Sequence, residues 1–153
     1  MTPMVKAGDV VLFNLVSCVQ SELRAEDFIF RFGGEEFVVV LTGVAAAEAF
    51  TIAERLRRKM EKLPIWIGSQ SISVTFSAGL AGCHESELFE STRQRFNEQI
   101  TKEIDEQSLQ GLMFNLAEDT LAQADSLLYQ AKHGGRNQIC RRTLSQSGRL
   151  WAI

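Results

Sequence analysis

No apolar run in the chain approaches the ~20 residues needed to cross a bilayer, so any work at a membrane would depend on another segment or subunit. The opening residues, Met-Thr-Pro-Met-Val-Lys-Ala-Gly-Asp, lack the apolar core of a secretory signal. Cysteine is scarce. Cys18, Cys83 and Cys140 are odd in number and far apart, which argues against a disulfide framework or a CxxC zinc site and for a reducing, cytoplasmic setting. Basic charge is not in excess: 16 Lys plus Arg face 19 Asp plus Glu, for a net charge of −3. Broad DNA or RNA binding needs a basic footprint and is not expected, although a few converging cations could still hold a nucleotide. Internal repeats, low-complexity tracts and interdomain linkers are also missing. What remains is an ordinary globular mix, 45% hydrophobic and 23% charged over 153 residues. That length suits one domain, and a chain of this size buries about 70% of its unfolded surface, enough for a core without staples.

Hydrophobic spacing at Val10, Val11, Leu12, Leu15, Val16, Val19 and Leu23 predicts a helix over 10–23, with Asp9 as its N-cap. Residues 28–32 (Phe-Ile-Phe-Arg-Phe) and 37–41 (Phe-Val-Val-Val-Leu) read as strands, and Gly33-Gly34 between them predicts a hairpin. The valine run suggests a second strand buried on both faces. A helix is predicted over 45–63, stopped by Pro64, then a strand over 72–80. Residues 83–115 are polar with little strand signal, fitting a short helix plus a loop. A helix over 116–132 ends at Gly134-Gly135, and Gln138-Ile139-Cys140 begins a short strand. The order of elements is α+β.

Three clusters carry chemistry. In Arg31-Phe32-Gly33-Gly34-Glu35-Glu36-Phe37, two glycines allow close backbone approach to an anionic ligand, and two carboxylates suit Mg²⁺. The same residues also spell a plain hairpin turn with solvated glutamates. Lys132, His133, Gly134, Gly135, Arg136 and Asn137 place cations at a helix end, where the helix dipole alone favours them and where they could also reach a phosphate chain. In Arg24-Ala25-Glu26-Asp27, the guanidinium could fork onto a phosphate or guanine edge, or simply form a surface ion pair. His84 and His133 are isolated, and Ser77 lacks triad partners.

Taken together, the clusters resemble the GGDEF family, the diguanylate cyclases, in its GGEEF form. Gly33-Gly34-Glu35-Glu36-Phe37 is similar to the family pentapeptide, with Arg31-Phe32 as its lead-in. Arg24-x-x-Asp27 resembles the RxxD product site. Ala124-Asp125-x-x-Leu128-Tyr129-x-Ala131-Lys132-x-x-Gly135-Arg136-Asn137 resembles the second family motif, and Val74–Gly79 the strand before it. Gly8-Asp9-x-Val11-Leu12 resembles the opening of the helix ahead of RxxD. The likeness runs in order over about residues 8–140.

The resemblance implies a nucleotidyl-cyclase palm-like mixed sheet flanked by helices, with the GGEEF hairpin central to it. It implies a homodimer that condenses two GTP into cyclic di-GMP. Glu35 would be catalytic, and Glu35 and Glu36 would hold Mg²⁺ or Mn²⁺. Asp9, Gly33, Gly34, Lys132 and Arg136 would bind substrate. Arg24, Asp27 and Arg55 would form an inhibitory product site. One departure stands out: the family's first strand, with its metal-binding aspartate, is unmatched, because the seven residues before Gly8 contain no Asp, Asn or His. The expected organisation is therefore a GGDEF domain lacking its N-terminal strand and helix over 1–142, with a loop insertion at about 83–115 and a peripheral tail over 143–153. The strand's place beside the hairpin would be left open, or filled by another chain or by the tail. A degenerate domain that binds cyclic di-GMP or a protein partner without turnover is the alternative.

Overall fold

The computed structural model describes residues 6–83, 106–142 and 150–152. Helix α1 (Ala7–Gln20) is followed by strands β1 (Phe28–Gly33) and β2 (Glu36–Thr42), helix α2 (Ala46–Lys62) and two short strands, β3 (Ile65–Ile67) and β4 (Gln70–Ile72). Then come β5 (Ala78–Cys83), helix α3 (Glu106–His133), β6 (Ile139–Arg141) and β7 (Leu150–Ala152). The main sheet has the order β1-β2-β7-β5-β6, and β3-β4 form a separate ribbon. β5 and β6 run parallel while the other pairs are antiparallel, so the sheet is mixed.

Alternation along β2 sorts the core. Val39 and Leu41 are buried with Val19, Val44, Ala49, Ile52, Leu56 and Leu80, on the face covered by α1 and α2. Val38 points the other way, toward Ala81, Ala124, Leu121 and Leu127, on the face covered by α3. The two faces together match the strand buried on both sides that the valine run suggested. A smaller cluster of Cys18, Met60 and Ile65 fastens α1 and α2 to β3. The approach of α3 to β5 is close enough to demand glycine. A Cβ at Gly79 would fall 2.5 Å from the Leu128 nitrogen and 2.8 Å from Leu127 Cβ, and would also collide with the Ala124 carbonyl.

Several boundaries differ from the sequence reading. α1 starts at Ala7, and its N-cap is Lys6, which makes no side-chain cap bond. Asp9 is not the cap. It lies in the first helical turn, where a carboxylate complements the helix dipole. The strand expected over 72–80 is interrupted: 73–77 carry no strand pairing, and its two ends belong to different sheets. The 83–115 interval is not loop to its end, because α3 begins at Glu106; the part of the proposed insertion over 84–105 lies outside the described residues.

The tail is not wholly peripheral. Leu150–Ala152 form an interior strand, paired to β2 through Val40↔Ala152, Leu41↔Trp151 and Thr42↔Leu150, and to β5 through Ala81↔Ala152, Gly82↔Trp151 and Cys83↔Leu150. The place beside the end of the hairpin away from its turn, at Val40–Thr42, is thus taken by a tail strand. Its residues, Leu-Trp-Ala, carry no carboxylate side chain.

Candidate functional site

The Gly-Gly-Glu-Glu segment makes the turn of the β1–β2 hairpin. Gly33 pairs with Glu36 across the turn, and Gly34 has φ +46, a left-handed conformation that glycine adopts at little cost. The register slips between Arg31 and Gly33, so Phe32 is bulged out of the ladder. Arg31 clamps the turn by donating from Nε and a terminal nitrogen to the Gly34 carbonyl, at 3.0 and 2.6 Å. The turn therefore presents Glu35 and Glu36 side by side to solvent, with no Cβ at Gly33 or Gly34 to obstruct a ligand.

The C-terminus of α3 comes to meet them. Lys132 Nζ lies 3.4 Å from Glu36 Oε1, joining the two motifs 96 positions apart. The backbone beyond Lys132 is unusual: Gly135, Arg136 and Asn137 have φ of +116, +60 and +45 in succession. Left-handed backbone costs an ordinary L-residue about 1–2 kcal/mol, so Arg136 needs support from its surroundings. The support is a polar network on α2 that the sequence reading missed. Arg57 donates to Asn137 Oδ1 at 2.8 Å, and the Asn137 side-chain amide donates to Glu61 Oε1 at 2.8 Å. Arg57 is also held by Glu54 and Glu61, and the Asn137 backbone N–H donates to Ser77 Oγ at 3.0 Å. Hydrogen bonding to Glu54, and then its charge and that of Glu61, raise the Arg57 pKa; hydrogen bonding from Asn137, followed by that from Arg57, lowers that of Glu61. Gly-Arg-Asn was visible in the sequence, but nothing local marked Arg57 as its partner.

Arg24 and Asp27 lie on the α1–β1 connection and Arg55 on α2. Asp27 serves the backbone with both oxygens, accepting from the Arg24 N–H at 2.9 Å and the Thr42 N–H at 3.1 Å. The guanidinium of Arg24 pairs with Glu48 and that of Arg55 with Glu22, each at 2.7 Å. Glu22 also accepts from Lys59, the main cause of its lowered pKa. Asp9, on α1, has no described side-chain bond to the hairpin turn, and the Arg136 guanidinium is exposed with no partner among the described residues.

Comparison with known proteins gives this arrangement its context. The family model described as "Diguanylate cyclase, GGDEF domain" matches residues 5–108. The chain belongs to the GGDEF family. This GGDEF domain is 31% identical over 141 residues to Diguanylate cyclase A of Treponema denticola, covering 92% of the chain and 30% of the relative. It is also 31% identical to Diguanylate cyclase DgcP of Pseudomonas aeruginosa, covering 87% of the chain and 16% of the relative. The GGDEF domain thus spans less than a third of either curated relative. Among solved structures, the active GGEEF domain of a diguanylate cyclase from Vibrio cholerae superposes with a TM-score of 0.61 at 26% identity, covering 90% of this chain and 69% of that one. The mixed α+β fold expected from the family resemblance is the fold observed. No described helix is long and apolar enough to cross a membrane.

The carboxylates of this GGDEF domain suit a hard cation. Mg²⁺ commonly takes one or two carboxylates from protein and the rest of its shell from phosphates and water. Glu35 and Glu36 meet that need as exposed neighbours on a fixed turn. No group of three or more His, Cys, Asp or Glu side chains converges among the described residues, so bound phosphates would have to complete the shell.

Proposed function

We propose that this GGDEF domain is a diguanylate cyclase, condensing two GTP into cyclic di-GMP with release of pyrophosphate, in the cytoplasm and as a homodimer with one GTP per subunit. The observation that carries the reading is the meeting of the Glu35-Glu36 turn with Lys132, which gathers carboxylates for a metal and a cation for phosphates at one place. Each ribose 3′-hydroxyl attacks the α-phosphate of the other GTP. Glu35 accepts the proton of that hydroxyl, and with Glu36 it would hold Mg²⁺ or Mn²⁺, which supplies charge neutralisation on the phosphates when bound. Gly33 and Gly34 let ribose and phosphate lie against backbone. Asp9 accepts from the guanine edge. Lys132 and Arg136 offset negative charge on the departing pyrophosphate. Incubation with GTP and Mg²⁺, with products separated by chromatography, is expected to yield cyclic di-GMP only poorly from residues 1–153, where Glu35 and Glu36 are the carboxylates at the turn, and Glu35→Gln to abolish it. Silence from a chain that binds GTP would refute turnover.

A second reading is favoured by one observation: the strand beside β2 is Leu150–Ala152, which brings no carboxylate to the hairpin. On that reading the domain binds cyclic di-GMP through Arg24, Asp27 and Arg55 and does no chemistry. Calorimetry with cyclic di-GMP separates the two, since a binder without turnover gives an isotherm but no product from GTP. Arg24→Ala should weaken that isotherm about tenfold, as a lost bidentate base contact costs ~1–3 kcal/mol. Unchanged affinity removes Arg24 from the site.

A further inference from the structure

We propose that Arg57 is a positioning residue, latching the Gly134–Asn137 loop to α2 so that Arg136 is presented, beside Lys132 on α3, to a nucleotide's terminal phosphates. This rests on the GTP reading above. Arg57 lies outside every motif that points to the site, yet its side chain is only 13% exposed. It is held on one side by Glu54, through two bonds of 3.1 and 3.3 Å, and by Glu61 at 3.1 Å. On the other side it reaches Asn137 Oδ1 at 2.8 Å. Glu61 closes the ring by accepting from the Asn137 amide at 2.8 Å. A planar guanidinium is suited to this task because its N–H groups leave in fixed, divergent directions. An ammonium on a flexible stem cannot serve Glu54 and Asn137 in the same geometry.

What the latch holds is a loop anchored at both ends but strained between them, with Gln138 beyond it accepting from the Ala78 N–H at 3.1 Å and donating from its amide to the Ala131 carbonyl at 3.0 Å. Gly135, Arg136 and Asn137 form an unbroken run of positive φ, and such backbone persists only where its surroundings over-determine it. Helix-end bonds hold the start of the loop, Gly134 N–H to Gln130 O at 2.7 Å and Arg136 N–H to Ala131 O at 3.0 Å. The far end is fixed by Asn137, through Ser77 Oγ and the Arg57–Glu61 ring. The Arg136 side chain has no partner among the described residues, so its direction is inherited from backbone that the ring secures. Loosening the ring disperses Arg136 over several directions, while Lys132, inside α3, keeps its place opposite Glu36.

The signature is a loss graded by phosphate number. Calorimetry would compare a non-hydrolysable GTP analogue with GMP, using wild type, Arg57→Gln, Arg57→Lys, Asn137→Ala and the Arg57→Gln/Asn137→Ala double variant. Arg57→Gln is expected to weaken the triphosphate about tenfold, equivalent to ~1.4 kcal/mol, while GMP stays within about twofold. Arg57→Lys should fail to restore triphosphate affinity. The double variant should be no worse than either single one, because both break the same ring. Equal losses for GMP and the triphosphate analogue would show general damage and overturn the proposal, as would no loss for either. Amide hydrogen exchange judges the latch without any ligand. Faster exchange at Gly134, Arg136 and Asn137 in Arg57→Gln upholds it, and unchanged protection overturns it. A wild-type chain that binds no guanine nucleotide would overturn the GTP reading, leaving the latch to be decided by exchange alone.

Discussion

Replacing Gly79 by alanine tests the closest contact in the fold. The added Cβ would sit 2.5 Å from the Leu128 nitrogen and 2.8 Å from Leu127 Cβ, and closer still to the Ala124 carbonyl. Carbon atoms rest about 3.5–4.0 Å apart, so α3 must retreat from β5 by roughly 1 Å. Two of the three obstructing atoms are backbone, which no rotamer change can move. Retreat also opens the contact that joins Ala81, Ala124, Leu121 and Leu127. Overpacking ordinarily costs about 1–3 kcal/mol, and a backbone collision belongs at the upper end, near 3 kcal/mol. For a domain of this size each kcal/mol lowers the melting temperature by roughly 2–4 °C, so Gly79→Ala should melt about 6–12 °C below wild type. Gly111→Ala is the companion: that position is exposed on α3 with nothing within 4 Å, and alanine there should add about 0.5–1 kcal/mol. Thermal and urea unfolding followed by circular dichroism measures both. Equal melting temperatures for Gly79→Ala and wild type would refute the close approach.

Three further outcomes follow from other parts of the fold. Trp151→Pro removes an N–H from an interior strand, so urea unfolding should show a loss of about 1–3 kcal/mol, and unchanged stability would argue against β7 as an interior strand. Glu22 has its pKa lowered first by the hydrogen bond from Lys59, so its stabilising effect is complete above the unfolded carboxylate value near ~4.3 and fades as pH falls through the lower folded value. Glu22→Gln should accordingly be less stable than wild type at neutral pH and converge with it in acid; a gap that persists unchanged at low pH would refute the assignment. Arg31→Ala should free the Gly34 carbonyl and speed exchange of the turn amides while the Phe28–Val40 end of the hairpin stays protected, a contrast that hydrogen exchange by NMR can read.

The legible parts of the sequence were those with local causes. The Phe28–Phe32 and Phe37–Leu41 runs flank Gly33-Gly34, and the hairpin formed where alternation and turn chemistry agreed. The helix before Pro64 was set by its own spacing. The failures came where distant partners decide. Nothing within Leu150-Trp151-Ala152 says strand; β2 and β5 impose it from either side. Ile72 and Ala78 lie within one stretch of strand propensity, yet they pair in different sheets. Among the candidate-site residues, Glu35, Glu36 and Lys132 could be picked out because adjacent motif residues frame them, and the fold brings Lys132 to Glu36. Arg57 could not, since one arginine among several charges on a helix looks like part of a solvated face until Asn137 is seen beside it.

The interior position of β7 has a consequence for biosynthesis. The hairpin and the β5–α3–β6 unit are each built from stretches nearer in sequence, but the main sheet joins them only through residues 150–152. A nascent chain must therefore carry β2 with one side unpaired until nearly everything between has been synthesised. Val40, Leu41 and Thr42 line that waiting edge, and an unpaired edge is a template for joining other chains. Among the described strands, the joining of the hairpin to β5 thus waits for residues 150–152. Pulse-labelled chains released at residue 142 should be captured by chaperones or aggregate more readily than chains released after residue 152, although they differ by only a few sheet residues.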